Sequence, residues 1–115
     1  MCIRDRYYTV YNTITLLREK AREQFSKVRL ERYNYYTGKA TAEVYAEEPF
    51  PYKVREKDAI QRHLEADDKM NKIDMKIKYY DTMLKFLEEV IRAVSNRTYQ
   101  IKNAIEWNKF QAGYN

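Results

Sequence analysis

Glycine, proline, cysteine and histidine are scarce in this sequence, whose 115 residues include 2 Gly, 2 Pro, 1 Cys and 1 His. Sandwiches and barrels of β-strands need many tight turns, so the shortage of glycine and proline favours long helices instead. The single cysteine, Cys2, excludes an intramolecular disulfide framework and a cysteine-rich zinc site. The sequence therefore predicts an all-α protein.

Motifs of catalysis are also missing. No glycine-rich phosphate loop, serine nucleophile motif or Cys–His pair with metal-ligand spacing occurs. The single histidine, His63, follows Arg62 in a polar stretch, and we interpret it as a surface residue. We therefore predict no catalytic residues, no metal site and no cofactor, and hence a protein that is not an enzyme.

Long apolar runs are missing as well. No run approaches the roughly 18 residues that a membrane span needs, and no apolar core of a signal peptide is visible. We therefore expect a cytosolic protein without a membrane partner.

Positive charge is present in excess, with 22 Lys and Arg against 17 Asp and Glu, a net charge of +5. This excess fits a polyanionic partner, although many basic proteins bind no nucleic acid.

The first six residues, Met-Cys-Ile-Arg-Asp-Arg, resemble the translation of a transposon end that is used to prepare sequencing libraries. We therefore expect residues 1–6 to be non-native and a native N-terminal portion to be missing. The alternative is a genuine start. On either interpretation, residues 7–115 are long enough for a single helical domain with a modest core.

Helical periodicity dominates the rest of the chain. Apolar residues recur at steps of three and four up to about Asn34, which predicts a basic helix over 7–37 that stops at Gly38. Residues 38–53 lose this period and contain Pro49 and Pro51, so we predict an irregular loop or weak hairpin with an acidic character. Residues 54–113 are predicted to form the C-terminal helices, with a possible bend at 67–68 and a break at Ser95-Asn96.

A heptad-like stripe runs along these C-terminal helices. Its spacing of four, three, four, three residues keeps one face turned towards a partner helix. Such a stripe forms either the core of a helical hairpin or an oligomer interface, and the few helices in this chain favour self-association. We predict oligomerisation through Ile77, Tyr80, Leu84, Leu87, Ile91, Val94, Ile101 and Ile105.

The end of the first helix combines basic and aromatic residues. Residues 18–39 contain seven basic residues against three glutamates, a net charge of +4. Lysine and arginine neutralise phosphates, and exposed tyrosine rings stack on unpaired bases, so the mixture suits single-stranded DNA. The alternative is that the tyrosines pack at a helix end. The predicted DNA-binding residues are Lys27, Arg29, Arg32, Tyr33, Tyr35, Tyr36 and Lys39.

Several short motifs occur in an order that resembles the UvsY recombination mediators of tailed bacteriophages. Arg32 is followed by Tyr-Tyr-Thr-Gly over 35–38 and by Lys39, where the family has a basic helix that ends in Tyr-Tyr-Ser-Gly. Leu-Glu-Ala-Asp over 64–67, Ile-Lys over 101–102 and Phe-Gln-Ala-Gly over 110–113 resemble later family motifs. Leu30 stands where the family motif has a lysine, and neighbouring Arg29 or Lys27 could supply that charge from an adjacent position.

This resemblance implies a non-catalytic mediator. Such proteins form ring-like homo-oligomers, bind single-stranded DNA, contact the phage RecA-like recombinase and help to displace the phage single-strand-binding protein. The implied subunit is hairpin-like, with a long C-terminal helix pair, and it acts in the cytoplasm of the infected bacterial host. The alternative function is that of a helical oligomeric structural or scaffold protein of a phage, without a role in DNA binding.

Overall fold

A computed structural model describes residues 2–113, and all regular secondary structure in this part of the chain is α-helical. The all-α prediction is confirmed. The elements are α1 (Ile3–Thr37), α2 (Ala42–Glu47), α3 (Lys57–Glu65) and α4 (Asp68–Gln111). None of the helices in the described residues is both long enough and apolar enough to cross a membrane.

Helix α1 stops where the sequence predicts. Gly38 has a φ of 83°, a left-handed conformation that side chains disfavour. The Gly38 N–H donates to the carbonyl of Tyr35 (3.4 Å), and the Lys39 N–H donates to that of Asn34 (2.8 Å). These two bonds form a Schellman motif, which satisfies the last carbonyls of the helix. A β-carbon at Gly38 would also lie only 2.8 Å from Cγ of Lys53.

The predicted irregular loop over 38–53 is only partly correct, because it contains the six-residue helix α2. The residues of α2 include two alanines and two glutamates, which favour helix once the neighbouring residues allow a turn to form. Pro49 ends this tendency, because the residue before a proline is driven out of the helical region. Glu48 accordingly has an extended backbone, with φ −131° and ψ 90°.

The C-terminal helices differ from the prediction at two points. The chain breaks between α3 and α4, at Ala66 and Asp67, where the sequence suggested no more than a bend. The predicted break at Ser95-Asn96 is wrong: α4 continues for 44 residues, so a single long helix replaces the expected helix pair. Neither Ser nor Asn forbids a helix as proline does, and no glycine or proline lies nearby to end it.

The contacts divide the chain into two compact units. One contains residues up to 16 together with those from 81 onwards, and it buries Ile14, Leu84, Leu87 and Ile91. The other contains residues 17–80. Its hydrophobic core includes Tyr35, Tyr36, Leu64 and Met70, with Phe25, Val28, Phe50 and Ile60 packed around them.

Candidate nucleic-acid interface

A buried charged cluster lies inside the unit formed by residues 17–80. The Arg32 Nε atom donates to Oδ2 of Asp67 (2.6 Å), and the hydroxyl of Tyr36 donates to the same oxygen (2.6 Å). The other oxygen, Oδ1, accepts the backbone N–H of Met70 (3.0 Å). Asp67 thus caps the N-terminus of α4 and, at the same time, holds the end of α1 against it.

Glu48 extends this cluster to the segment after α2. Its two carboxylate oxygens accept bonds from the terminal nitrogens of Arg32, at 3.2 and 3.3 Å. The Tyr35 hydroxyl donates to the carbonyl of Glu48 (3.1 Å), and the Tyr45 hydroxyl donates to that of Tyr35 (2.7 Å). We call Arg32, Tyr36, Glu48 and Asp67 the Asp67 network. Paired, bidentate contacts of this kind are what a buried guanidinium needs to offset its loss of water.

Aromatic rings enclose the guanidinium of Arg32. Its Cζ atom lies 4.2 Å from the ring centroid of Tyr35 and 5.1 Å from that of Tyr36, within the range of cation–π attraction. The ring of His63 stacks on Tyr36 with a centroid distance of 5.1 Å. His63, which we expected on the surface, is therefore half-buried in an aromatic cluster.

The network holds its charged residues in the ionised form. Burial alone would raise the pKa of Asp67, but the bonds from Tyr36, the Met70 N–H and Arg32 outweigh it and lower the pKa. The bond from Arg32 is the main reason that the pKa of Glu48 is also lowered. Burial tends to lower the pKa of Arg32, yet its bonds to Tyr36, Glu48 and Asp67 raise it overall. The cluster is thus a set of permanent ion pairs at neutral pH.

Three of the predicted DNA-binding residues belong to this cluster and are not accessible. Arg32 is 6% exposed, Tyr35 is 3% exposed and Tyr36 is 9% exposed. Base stacking needs an open ring face, and phosphate binding needs a free guanidinium, but both are occupied within the chain. The sequence predicted that these three residues are exposed, but the structure shows that they are buried. Packing at the helix end, the alternative interpretation of the tyrosines, describes where they lie.

The other four predicted residues do not form one surface. Lys27, Arg29 and Lys39 are exposed, and Tyr33 is half-buried. Lys39 lies near Tyr33, with its Nζ atom 5.8 Å from the ring centroid. Lys27 and Arg29 are two positions apart, so a helix turns them to different faces. Arg29 borders a cleft that also contains Glu65 and Asp74, whereas Lys27 borders a cleft with Lys20 and Lys76.

The predicted oligomerisation residues divide in a similar way. Leu84, Leu87 and Ile91 are buried in the unit that consists of the two ends of the chain. Ile77, Tyr80 and Val94 are half-buried, and only Ile101 and Ile105 are exposed, at 52% and 51%. The central part of the stripe is therefore already covered by contacts within the chain, as expected for a hairpin core.

The motifs that enter the Asp67 network come from two separate parts of the sequence, the end of α1 and the Leu-Glu-Ala-Asp segment. A family described as "Recombination, repair and ssDNA binding protein UvsY" matches residues 2–114, which is almost the whole chain. The chain belongs to the UvsY family. The suspected relationship is thereby confirmed, and UvsY proteins are recombination and repair proteins that bind single-stranded DNA. A comparison with curated proteins and one with solved structures gave no significant match.

Residue-by-residue interpretation of this UvsY sequence missed the structural role of Asp67. An acidic residue directly before a long helical run is the usual signal of an N-cap, and this signal could have placed the break between α3 and α4. Nothing in the local sequence indicates that Asp67 also binds Arg32, which lies 35 positions earlier in the chain. In the described part of the chain, no three His, Cys, Asp or Glu side chains are arranged to hold a metal ion.

Proposed function

We propose that this protein is a recombination mediator that promotes the loading of a RecA-like phage recombinase onto DNA covered by single-strand-binding protein. The observation that carries the proposal is the match to the UvsY family over residues 2–114. The net charge of +5 and the exposed lysines and arginines of α1 support the DNA-binding part of this role. The protein would act in the cytoplasm of an infected bacterial cell, where the recombinase and the single-strand-binding protein are its partners.

The DNA contacts that we propose on α1 are the exposed members of the predicted set. Arg29 and Lys39 are exposed and available to bind phosphates, whereas the exposed Lys27 would exchange its ion pair with Glu23 for a phosphate. The half-buried Tyr33 beside Lys39 presents part of its ring. Arg32 supports these contacts indirectly, because the Asp67 network fixes the end of the helix that carries them. A rigid helix end keeps the cations in place, so less conformational entropy is lost when a strand binds.

Self-association is the second part of the proposal. Beyond residue 96 every described residue of α4 is exposed, including the large apolar side chains Tyr99, Ile101, Ile105, Trp107 and Phe110. An unusually apolar exposed helix end is typical of a protein–protein contact. A ring-like homo-oligomer built on these residues would place several weak DNA sites on one particle, and each further site would bind at a high effective concentration.

Titration of a fluorescent oligo-dT strand tests DNA binding. We expect binding whose affinity falls steeply as salt rises, because phosphate contacts release counterions. A protein that fails to bind at low salt would be the helical structural protein of the alternative interpretation, and the mediator proposal would be wrong.

The loading step has its own test, in which recombinase assembly on strands covered by single-strand-binding protein is followed with and without this protein. Equal assembly rates would refute mediation while leaving DNA binding intact.

A further inference from the structure

A cleft between α1 and α4, within residues 17–80, has an unusual collection of charges. Its lining includes Lys20, Glu23, Lys27, Lys76 and Tyr80, and its volume is about 520 Å³. Three lysines from two helices therefore approach one open cleft with a single carboxylate among them. Like charges repel one another, and an anion bound in the cleft would relieve that repulsion.

The one carboxylate in this cleft is already occupied. Glu23 forms an ion pair with Lys27, with 3.1 Å between Oε1 and Nζ. Neither Lys20 nor Lys76 forms an ion pair with a carboxylate among residues 2–113. The opposite side of the same helices is different: there Arg29 shares its cleft with Glu65 and Asp74, and Asp74 pairs with Lys78 at 2.9 Å. Positive charge without a partner carboxylate is thus found on the side of α1 and α4 that carries Lys20 and Lys76.

Helix α4 continues this positive side with an aromatic residue. Lys72, Lys76 and Tyr79 are spaced by four and three residues, so they lie along one face of the helix. Lys72 is exposed, and it too has no ion-pair partner among the described residues. The ring of Tyr79 is 62% exposed and lies one turn beyond Lys76. Cations followed by an open aromatic ring are the combination that binds phosphates and stacks on an unpaired base.

We propose that the cleft lined by Lys20, Lys27 and Lys76, together with Lys72 and Tyr79 on the exposed face of α4 that also carries Lys76, is a binding surface for single-stranded nucleic acid. The strand's phosphates bind the lysines, and one base stacks on Tyr79. Only Lys27 belongs to the set of DNA-binding residues predicted from the sequence, so the inference moves the strand towards the middle of α1 and the first turns of α4. It rests on the proposed DNA-binding function and specifies where on the subunit the strand lies.

An acidic polypeptide is the other polyanion that could occupy a lysine cleft. Its carboxylates would form ion pairs with the lysines, but a carboxylate does not stack on the exposed ring of Tyr79. Every nucleobase, in contrast, has a flat face that can stack there. The aromatic residue therefore favours a single strand over an acidic protein segment. Duplex DNA is disfavoured for the same reason, because its bases are already stacked.

Two charge-matched double variants test the cleft. Lys20→Ala with Lys76→Ala removes two of its lysines. Lys57→Ala with Lys85→Ala removes two exposed lysines elsewhere, so both proteins change from a net charge of +5 to +3. The substituted positions are exposed and helical, and alanine is the best helix former, so both variants should fold like the wild-type protein. The affinity for oligo-dT is measured for all three proteins over a series of salt concentrations.

The cleft variant should lose two phosphate contacts. Its slope of log affinity against log salt should fall by about 1.4, which corresponds to roughly 25-fold weaker binding near 0.1 M salt. The control variant should keep the wild-type slope. If both variants behave like a wild-type protein that does bind, the cleft assignment is overturned and the DNA-binding function stands. If the wild-type protein itself does not bind, both are overturned. If the cleft variant loses affinity for poly-glutamate but not for oligo-dT, an acidic polypeptide is the partner instead.

Two variants of Tyr79 distinguish the contribution of base stacking from that of phosphate binding. Tyr79→Ala should weaken oligo-dT binding by about tenfold without a change in the salt slope, because the ring contributes no charge. Tyr79→Phe keeps the ring and should bind like the wild-type protein. An alanine variant with wild-type affinity would exclude Tyr79 from the surface.

Discussion

Two regions of this UvsY protein are rich in aromatic and basic residues, but their environments are opposite. In the Asp67 network, Arg32 and Asp67 are 6% and 3% exposed, and their charged groups are paired with one another. At the end of α4, Trp107 and Phe110 stack on each other at 5.7 Å while both remain 59% exposed. Similar residue types therefore close a core in one region and present a surface in the other.

This difference shows how far composition can be used to locate a binding site. Tyrosine next to arginine predicts stacking on DNA only if the rings are accessible, and here the cluster that resembled a DNA site holds the fold together. The lysines that remain unpaired are spread along the helices, with fewer aromatic neighbours. A nucleic-acid surface therefore needs accessible rings and cations that no carboxylate already pairs, in addition to a local density of basic and aromatic residues.

The largest effect is expected from Asp67→Ala. It leaves the buried guanidinium of Arg32 without its closest partner and removes the N-cap of α4, so it should reduce the free energy of unfolding by about 3–5 kcal/mol. Urea denaturation followed by circular dichroism measures this loss. Asp68→Ala is the control, because Asp68 is adjacent but exposed and should change stability by less than about 0.5 kcal/mol. Equal losses for the two variants would mean that the network does not stabilise the fold.

Acidic pH should also reduce the stability that the Asp67 network contributes, without any mutation. The pKa of Asp67 is lowered in the folded protein, so folding releases protons and its contribution is present at pH values above the unfolded pKa of about 3.9. That contribution is lost as the pH falls through the lower folded pKa. We expect stability to decline below about pH 4, and Asp67→Asn should show a smaller decline. Parallel pH profiles for the two proteins would show that other carboxylates dominate acid unfolding.

A smaller loss is expected from Tyr36→Phe, which keeps the ring but removes the hydroxyl that donates to Asp67. The bonds from Arg32 and the Met70 N–H remain, so the cost should be that of one buried hydrogen bond to a charged group, about 1.5–3 kcal/mol. Thermal unfolding measures it, and Tyr52→Phe, at a 70% exposed position, provides the matched control. If neither substitution changes the thermal stability, the hydrogen bond from Tyr36 to Asp67 does not stabilise the fold.

The smallest effect on subunit stability is expected at the other region. Ile101→Asp with Ile105→Asp changes two exposed residues at the end of α4, so subunit unfolding should shift by no more than about 0.5 kcal/mol per site. The particle mass measured by light scattering should nevertheless fall, because charges would replace the apolar contact between subunits. Gln100→Asp with Asn103→Asp, at exposed polar positions of the same segment, changes the net charge by the same amount and serves as the charge control. An unchanged mass would move the oligomer interface away from this segment.

Much of the helical architecture could be read from local patterns. The end of α1 follows from Gly38, because its left-handed conformation is one that glycine adopts without strain. The long apolar stripe of α4 follows from its spacing, and the burial of Leu84, Leu87 and Ile91 agrees with it. The helix α2 and the uninterrupted course of α4 were missed, because Ala, Glu, Ser and Asn have only weak preferences that neighbouring residues override.

The sequence by itself determined that this protein is helical, that it carries an excess of positive charge and that it belongs to the UvsY family, because these properties reside in composition, period and motif order. Only the tertiary structure decided which charges are available. Arg32 meets Asp67 across 35 positions of chain, and that contact turns a predicted DNA ligand into a core residue. Lys20 and Lys76 meet at one cleft although they are far apart in sequence. Neither relationship can be read from neighbouring residues, because each depends on how separate helices pack.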